Sequence, residues 1–199
     1  HLKAHKDVLT MTGSDLEITV RASVPVAVTE SGEAVLPSRI AVDIIRSLDS
    51  GAIEIEVAEE EAKISGGRSQ FSVRTLPVDD FPSLSDPKGD EVTVSTADLA
   101  AGLKQVVRAA SGDDARPILT GVLMSAEDGG LRLVATDSYR LAVRDLPEAT
   151  VLSEGQKVLV PSRALDELAR VLGDSEEVTV RLGEREVSFD VTVDDGEVQ

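Results

Sequence analysis

RPILTGVLMSAEDGGLRLVATDSYRLAV, residues 116–143, decides the fold. Val122, Met124 and Ala126 alternate before an Asp128-Gly129-Gly130 turn, and Leu131, Leu133 and Ala135 alternate after it. A period of two on both sides of a glycine turn is the pattern of an antiparallel hairpin with one apolar face. A third short strand, residues 139–144, follows the turn at Thr136-Asp137-Ser138. A paler copy lies near the N-terminus. DVLTMTGSDLEITV (residues 7–20) lines up with GLRLVATDSYRLAV (residues 130–143), with Leu9 answering Leu131, Met11 answering Leu133 and Asp15 answering Asp137. Further on, VLPSRIAVDIIRSLDSG (residues 35–51) lines up with LVPSRALDELARVLGDS (residues 159–175), which share Pro-Ser-Arg, Arg46 with Arg170 and Leu48 with Leu172. Two matched blocks in the same order and at nearly the same separation make the chain a tandem repeat of one structural unit.

The remaining elements fit between these blocks. Residues 16–24 alternate strictly and read as a strand. Pro37-Ser38 suits a helix start, after which Ile40, Ile44, Ile45 and Leu48 form an apolar face and Arg39, Asp43 and Arg46 a polar one, ending near Gly51. Residues 53–57, 62–65 and 70–75 read as strands. Residues 76–90, rich in proline and turn formers, mark the domain boundary. A strand at 91–94 leads into Ser95 and Asp98, a capping pair for the free amides of a first helical turn. Leu99, Leu103, Val106, Val107 and Ala110 then recur at helical spacing, with Ala97, Ala101, Lys104 and Arg108 opposite. In the helix at 162–172, Leu165, Leu168, Ala169 and Leu172 point inward and Arg163, Asp166 and Arg170 outward; strands follow at 178–182 and 186–191.

The fold class is therefore α+β, one unit reading strand, helix, strands, helix, strands. Domains are expected at 1–88 and 89–199. The first has no counterpart of residues 91–116, its opening four residues being too short to assign, and the second no counterpart of residues 70–82.

Composition narrows the chemistry. Across 199 residues there is no cysteine, which excludes disulfides and cysteine metal sites, and the two histidines, His1 and His5, leave the body of the chain without histidine catalysis. No apolar run approaches the ~20 residues of a membrane helix. The net charge of -17 speaks against nucleic-acid binding until its distribution is considered. IEIEVAEEEA (residues 53–62) is acidic throughout, whereas the three predicted helices carry Arg39, Arg46, Lys104, Arg108, Arg163 and Arg170 against Asp43, Asp98, Asp166 and Glu167. Acid concentrates on strands and loops, base on helices. The adjacent pairs Asp79-Asp80, Asp113-Asp114 and Asp194-Asp195 could serve acid–base or metal chemistry. No nucleophile elbow, phosphate-binding glycine loop or metal-spaced histidine accompanies them. No catalytic residue, metal or cofactor is expected.

TGSDLEI, LPSRIAVDIIRSL, GGRSQFSVRTLPVDDFPSL, VPSRALDELARVL and the opening stretch together resemble the bacterial DNA polymerase III beta subunit, the beta sliding clamp family, over most of the chain. That resemblance implies tandem sliding-clamp domains, with helices lining an inner concave face and antiparallel sheets outside. It implies a non-catalytic processivity factor, a cytoplasmic homodimeric ring that encircles double-stranded DNA without sequence specificity and touches no membrane. Its implied partners are the catalytic subunit of DNA polymerase III, the clamp loader and other proteins with a clamp-binding motif. Arg39 matches a DNA-contacting position of the family, and the helix faces add Arg46, Lys104, Arg108, Arg163 and Arg170. Asp113, Pro117 and Ile118 depart from the family's loop contacts. The second-domain half of its peptide groove falls on Leu119, Thr136, Ser138, Tyr139, Arg140 and Leu141, Ser138 and Tyr139 standing where glycine and histidine are commoner. Ring closure would fall on Ile44, Arg68, Gln70 and Ser72, with Ile45 nearby. By alternation alone Leu141 reads as core, and so do Ile44 and Ile45. A repeat-built interaction scaffold that never meets DNA shares the same fold and differs only in its helix faces.

Overall fold

The computed structural model describes residues 1–84, 90–127, 130–146, 155–172, 175–183, 186–193 and 196–198. Asp128 and Gly129 of the expected hairpin turn, residues 85–89 of the boundary and the Asp194-Asp195 pair lie outside them. The chain divides into two compact units, His1–Leu84 and Ser85–Gln199.

The first unit contains β1 (Leu2–His5), β2 (Val8–Ser14), β3 (Thr19–Pro25), β4 (Gly32–Ala34), α1 (Ser38–Ser47), β5 (Ile53–Ala58), β6 (Glu61–Gly66) and β7 (Ser69–Arg74). Its strands form two antiparallel arrays, in the orders β4-β1-β2-β3 and β5-β6-β7. The opening residues, too short to assign from sequence, form β1 because β2 and β4 pair with it on both sides. Lys6 and Asp7 both take positive φ, as a two-residue turn matched to strand twist requires.

The second unit contains β8 (Asp90–Ser95), α2 (Thr96–Val106), β9 (Gly121–Glu127), β10 (Gly130–Thr136), β11 (Leu141–Leu146), β12 (Lys157–Pro161), α3 (Ser162–Val171), β13 (Glu177–Leu182), β14 (Val187–Val193) and β15 (Gly196–Val198). Its arrays run β11-β10-β9-β12 and β15-β14-β13-β8. The Ser95 hydroxyl caps α2 by accepting from the Asp98 amide. The expected helix through Ala110 ends earlier, tightening into a 3₁₀ turn at Val107–Ala109.

The repeat extends to individual backbone pairs. Leu2 faces Met11 and Met11 faces Ala22 in the first unit; adding 122 to each number gives Met124 facing Leu133 and Leu133 facing Arg144 in the second. Helices α1 and α3 each span ten residues, their starts 124 positions apart. A one-residue slip would turn every apolar side chain to the wrong face. Identical registers therefore preserve identical inner faces.

Two expected strands begin late for one shared reason. In the first unit the Asp15 carboxylate accepts from the amides of Glu17 and Ile18, and Leu16 takes a φ of 73°, so β3 starts at Thr19 rather than at residue 16. In the second, Asp137 accepts from the amides of Tyr139 and Arg140, and Ser138 takes a φ of 78°, so β11 starts at Leu141 rather than at residue 139. An aspartate folded onto its own following amides competes with the strand ladder.

The units differ in what covers the inner face. In the second, Leu99, Leu103 and Val106 of α2 are buried with Leu131, Leu133, Leu146 and Leu165 in one core. Each fully buried aliphatic side chain contributes about 1.5–3 kcal/mol. Gly102 lets α2 lie close on the sheet, since a Cβ there would stand 3.2 Å from Leu133 and 3.3 Å from Arg144. On the wet face of this array, Arg132 bridges Glu127 and Asp145. In the first unit the positions matching Leu131, Leu133 and Leu146 are Leu9, Met11 and Val24, all only half-buried, and α1 buries no residue fully. Its expected apolar face is correspondingly open: Ile40 and Ile45 are exposed, while Ile44 and Leu48 are half-buried. The core of this unit gathers on Ala62, Ile64 and Val73.

Leu133→Ala should therefore cost about 2–5 kcal/mol and Met11→Ala, at the same register position, distinctly less. Urea midpoints of the two variants check this; equal losses would contradict the coverage by α2.

Candidate nucleic-acid and partner-binding surfaces

The six helix bases are all exposed. On α2, Lys104 and Arg108 stand one turn apart beside the small residues Ala97 and Ala101, which are exposed too. That face stays wet because Leu99, Leu103 and Val106 occupy the opposite one. Arg39 and Arg46 flank α1 at its first and last turns, and Arg163 and Arg170 do so on α3. Arg46 and Arg170 also meet the negative end of their helix dipoles. Their electrostatic settings differ. Arg170 is paired with Glu167 at 2.6 Å, and Arg163 also has a partner. Among the described residues no ion pair engages Arg39, Arg46, Lys104 or Arg108, so these four present unneutralised charge.

The second cluster forms from two loops of the second unit. The first runs from Ser111 to Thr120 and is folded on itself. The Ser111 hydroxyl accepts from the Asp113 amide, the Asp113 carboxylate accepts from the Ala115 amide and from Arg116 Nε, and the Ser111 amide donates to the Leu119 carbonyl at 2.8 Å. A 3₁₀ turn at Pro117–Leu119 ends it, leaving Leu119 half-buried and Ile118 exposed. The second loop joins β10 to β11. There Thr136 Oγ1 donates to the Arg140 carbonyl at 2.7 Å and accepts from the Ser138 amide. Arg116 Nη1 donates to Ser138 Oγ at 3.4 Å and brings the loops together. The expected groove residues Leu119, Thr136, Ser138, Tyr139, Arg140 and Leu141 thus sit on two linked loops.

Leu141 is 66 % exposed, so the reading of it as core from alternation is corrected. It is the first residue of β11, and beside it Tyr139 is 94 % exposed. Arg116 was absent from the expected set. Its signal was the Asp-x-x-Arg spacing that it shares with Arg140.

Both loop aspartates have acidities lowered from the usual carboxylate value. For Asp113 the Ala115 amide is the main cause, followed by Arg116. For Asp137 the amides of Tyr139 and Arg140 lead, followed by the Arg140 charge. Among the described residues no three acidic or histidine side chains gather into a metal-binding group, and no helix is long and apolar enough to cross a membrane. Asp79 and Asp80 lie exposed in a 3₁₀ turn, and Asp113 is committed to its loop.

The third surface is β7, at one end of its array. Arg68, Gln70 and Ser72 are exposed along it and its turn, and Ile44 of α1 is half-buried.

Residues 93–196 match the family model of the DNA polymerase III beta subunit, central domain, and residues 1–85 that of its N-terminal domain. The chain belongs to the DNA polymerase III beta subunit family. Among curated members of that family, the beta sliding clamp of Staphylococcus epidermidis is 35% identical over 186 residues, covering 88% of this chain and 49% of that protein. The clamp of Streptomyces coelicolor is 34% identical over 184 residues, covering 91% and 48%. Among solved structures, the DNA polymerase III subunit beta from Pseudomonas aeruginosa superposes with a TM-score of 0.88 at 32% identity, over 99% of this chain and 54% of that one. The sliding clamp from Bacillus subtilis gives 0.88 at 29%. The chain spans about half the length of the curated relatives it matches, and its fold is that of sliding-clamp domains.

In this clamp-family chain the Asp137 turn is held above all by backbone amides. A carboxyl with a depressed folded pKa adds stability that is present above the ordinary carboxylate range and lost as pH falls through the lowered value. Arg140→Ala should move the Asp137 titration only part of the way back, since the Tyr139 and Arg140 amides remain. Carbon-13 carboxyl shifts followed against pH would show it; complete return to the ordinary value would contradict the amide account.

Proposed function

We propose that the chain is the first two domains of a DNA polymerase processivity clamp. In this reading it helps to build a cytoplasmic ring around duplex DNA and tethers the replicative polymerase and other replication proteins to it. The observation that supports this most is the segregation of charge. Arg39, Arg46, Lys104 and Arg108 project unpaired from helices, while Glu54 and Glu56 project from β5 on a chain of net charge -17.

The mechanism is topological rather than chemical. Bases spread over several helices attract phosphates without reading base edges, so register along the duplex is free and the ring can slide. A small number of unneutralised bases is enough. Arg163 and Arg170, already partnered, would contribute only by exchanging a protein contact for a phosphate. The acid on the strands keeps DNA from settling on the outside.

The groove half formed by Leu119, Thr136, Ser138, Tyr139, Arg140 and Leu141 would receive a short extended peptide from a partner, with leucines accepting apolar anchors. The exposed edge of β7, with Arg68, Gln70, Ser72 and Ile44, would close the ring by pairing with a strand of a second subunit. Pairing of this kind removes an edge that otherwise invites aggregation.

A chimera in which this chain replaces the matching part of the Pseudomonas aeruginosa clamp tests the reading, with ring assembly verified by sedimentation. It should stay on nicked circular DNA and leave when the DNA is linearised. Replacing Arg39, Arg46, Lys104 and Arg108 together by glutamate should abolish retention with the ring intact. Retention that ignores either linearisation or these substitutions would contradict the proposal.

A further inference from the structure

The two loops of the candidate groove carry the same device. In Asp113-Asp114-Ala115-Arg116 and in Asp137-Ser138-Tyr139-Arg140, Oδ1 of the first aspartate accepts from the amide two residues on, at 3.1 and 2.9 Å. Oδ2 accepts from Nε of the arginine three residues on, at 3.1 and 3.0 Å. Holding a guanidinium by Nε fixes its plane and directs the terminal nitrogens away from the carboxylate that holds it. At the second loop the carboxylate is tucked in and the arginine presented, their side chains being 20% and 62% exposed.

The first unit supplies the control. Asp15 makes the same turn, accepting from the amides of Glu17 and Ile18, and the residue in the place of Arg140 there is Ile18. The turn therefore forms without an arginine. Arg140 is not required by the fold, and what it offers is directed outward. Around it stand three large side chains that burial does not explain: Ile118 at 75%, Tyr139 at 94% and Leu141 at 66% exposure. Arg116 Nη1 reaches Ser138 Oγ, so the second guanidinium lies against the same loop.

We infer that these loops take an acidic-apolar peptide of a partner protein, with apolar anchors against Ile118, Tyr139 and Leu141 and a carboxylate on the terminal nitrogens of Arg140 and Arg116. The inference rests on the peptide-groove reading and adds the charge of the occupant to it. A DNA phosphate would also satisfy the guanidiniums, but it would leave three large apolar side chains facing water. A peptide bearing both kinds of group satisfies both sets. A paired guanidinium adds a charge-assisted hydrogen bond to a ligand carboxylate and none of equal strength to the isosteric amide.

The test is a titration of the nitrogen-15-labelled 199-residue chain with a nonapeptide whose two leucines and one phenylalanine are flanked by aspartates. Its twin with asparagine at those places and a 20-base-pair duplex are titrated in parallel. The acidic peptide should bind about tenfold more tightly than its twin, shifting the amides of Leu119, Tyr139 and Leu141. Replacing Arg116 and Arg140 by glutamine should erase that ratio while leaving the twin's affinity and the remaining spectrum unchanged. Equal affinity for both peptides in the unaltered chain overturns the acidic preference and leaves the groove reading standing. Failure of either peptide to shift these amides, whether or not the duplex shifts them, overturns both.

Discussion

Everything in the second unit depends on one antiparallel register. Leu133 must oppose Met124 on one side and Arg144 on the other, because only that pairing sets the apolar positions of four strands on one face. With the face assembled, α2 and α3 have a surface to cover, and their own apolar stripes are consumed in covering it. The polar sides of the helices are then forced outward, and Lys104, Arg108, Arg163 and Arg170 go with them. The placement of positive charge is thus a by-product of how the core is closed. The same register in the first unit, with no helix corresponding to α2 among the described residues, leaves Leu9, Met11 and Val24 half-covered and the apolar side of α1 open. A shared register without shared coverage accounts for the different burial of two units that are otherwise built alike.

Electrostatics acts at two scales. Globally the chain is strongly acidic, which alone would repel a polyanion. Locally, four unpaired helix bases and two aspartate-held arginines create positive points whose neighbours decide what they attract. On the helices the neighbours are small and featureless, which favours contact without sequence preference. At the loops the neighbours are bulky and apolar, which favours a shaped ligand.

Much of this was legible in the sequence because it is periodic. The hairpin of β9 and β10, the helix starts and the repeat follow from alternation, from Pro-Ser-Arg and from matched aspartates. The strand starts at Thr19 and Leu141 were misplaced because Asp15 and Asp137 fold onto their own amides. A period-two reading does not register that competition. Leu141 looked like core for the same reason, since alternation fixes which face a residue takes but not whether anything covers that face. The exposure of Ile40 and Ile45 was hidden similarly: helical spacing marks an apolar side without supplying its partner. Arg116 went unnoticed because its role depends on a contact between two loops, Arg116 to Ser138, that lie 22 residues apart.

The central claim is that helix faces, and not strands, meet the duplex. Photo-crosslinking tests it most directly, with a benzophenone amino acid placed at Arg46, at Arg108 or at Glu56 in an assembled ring loaded on circular DNA. The account predicts crosslinks to DNA from Arg46 and Arg108 and none from Glu56. Crosslinks from Glu56, or silence from both helix positions on loaded DNA, would contradict it.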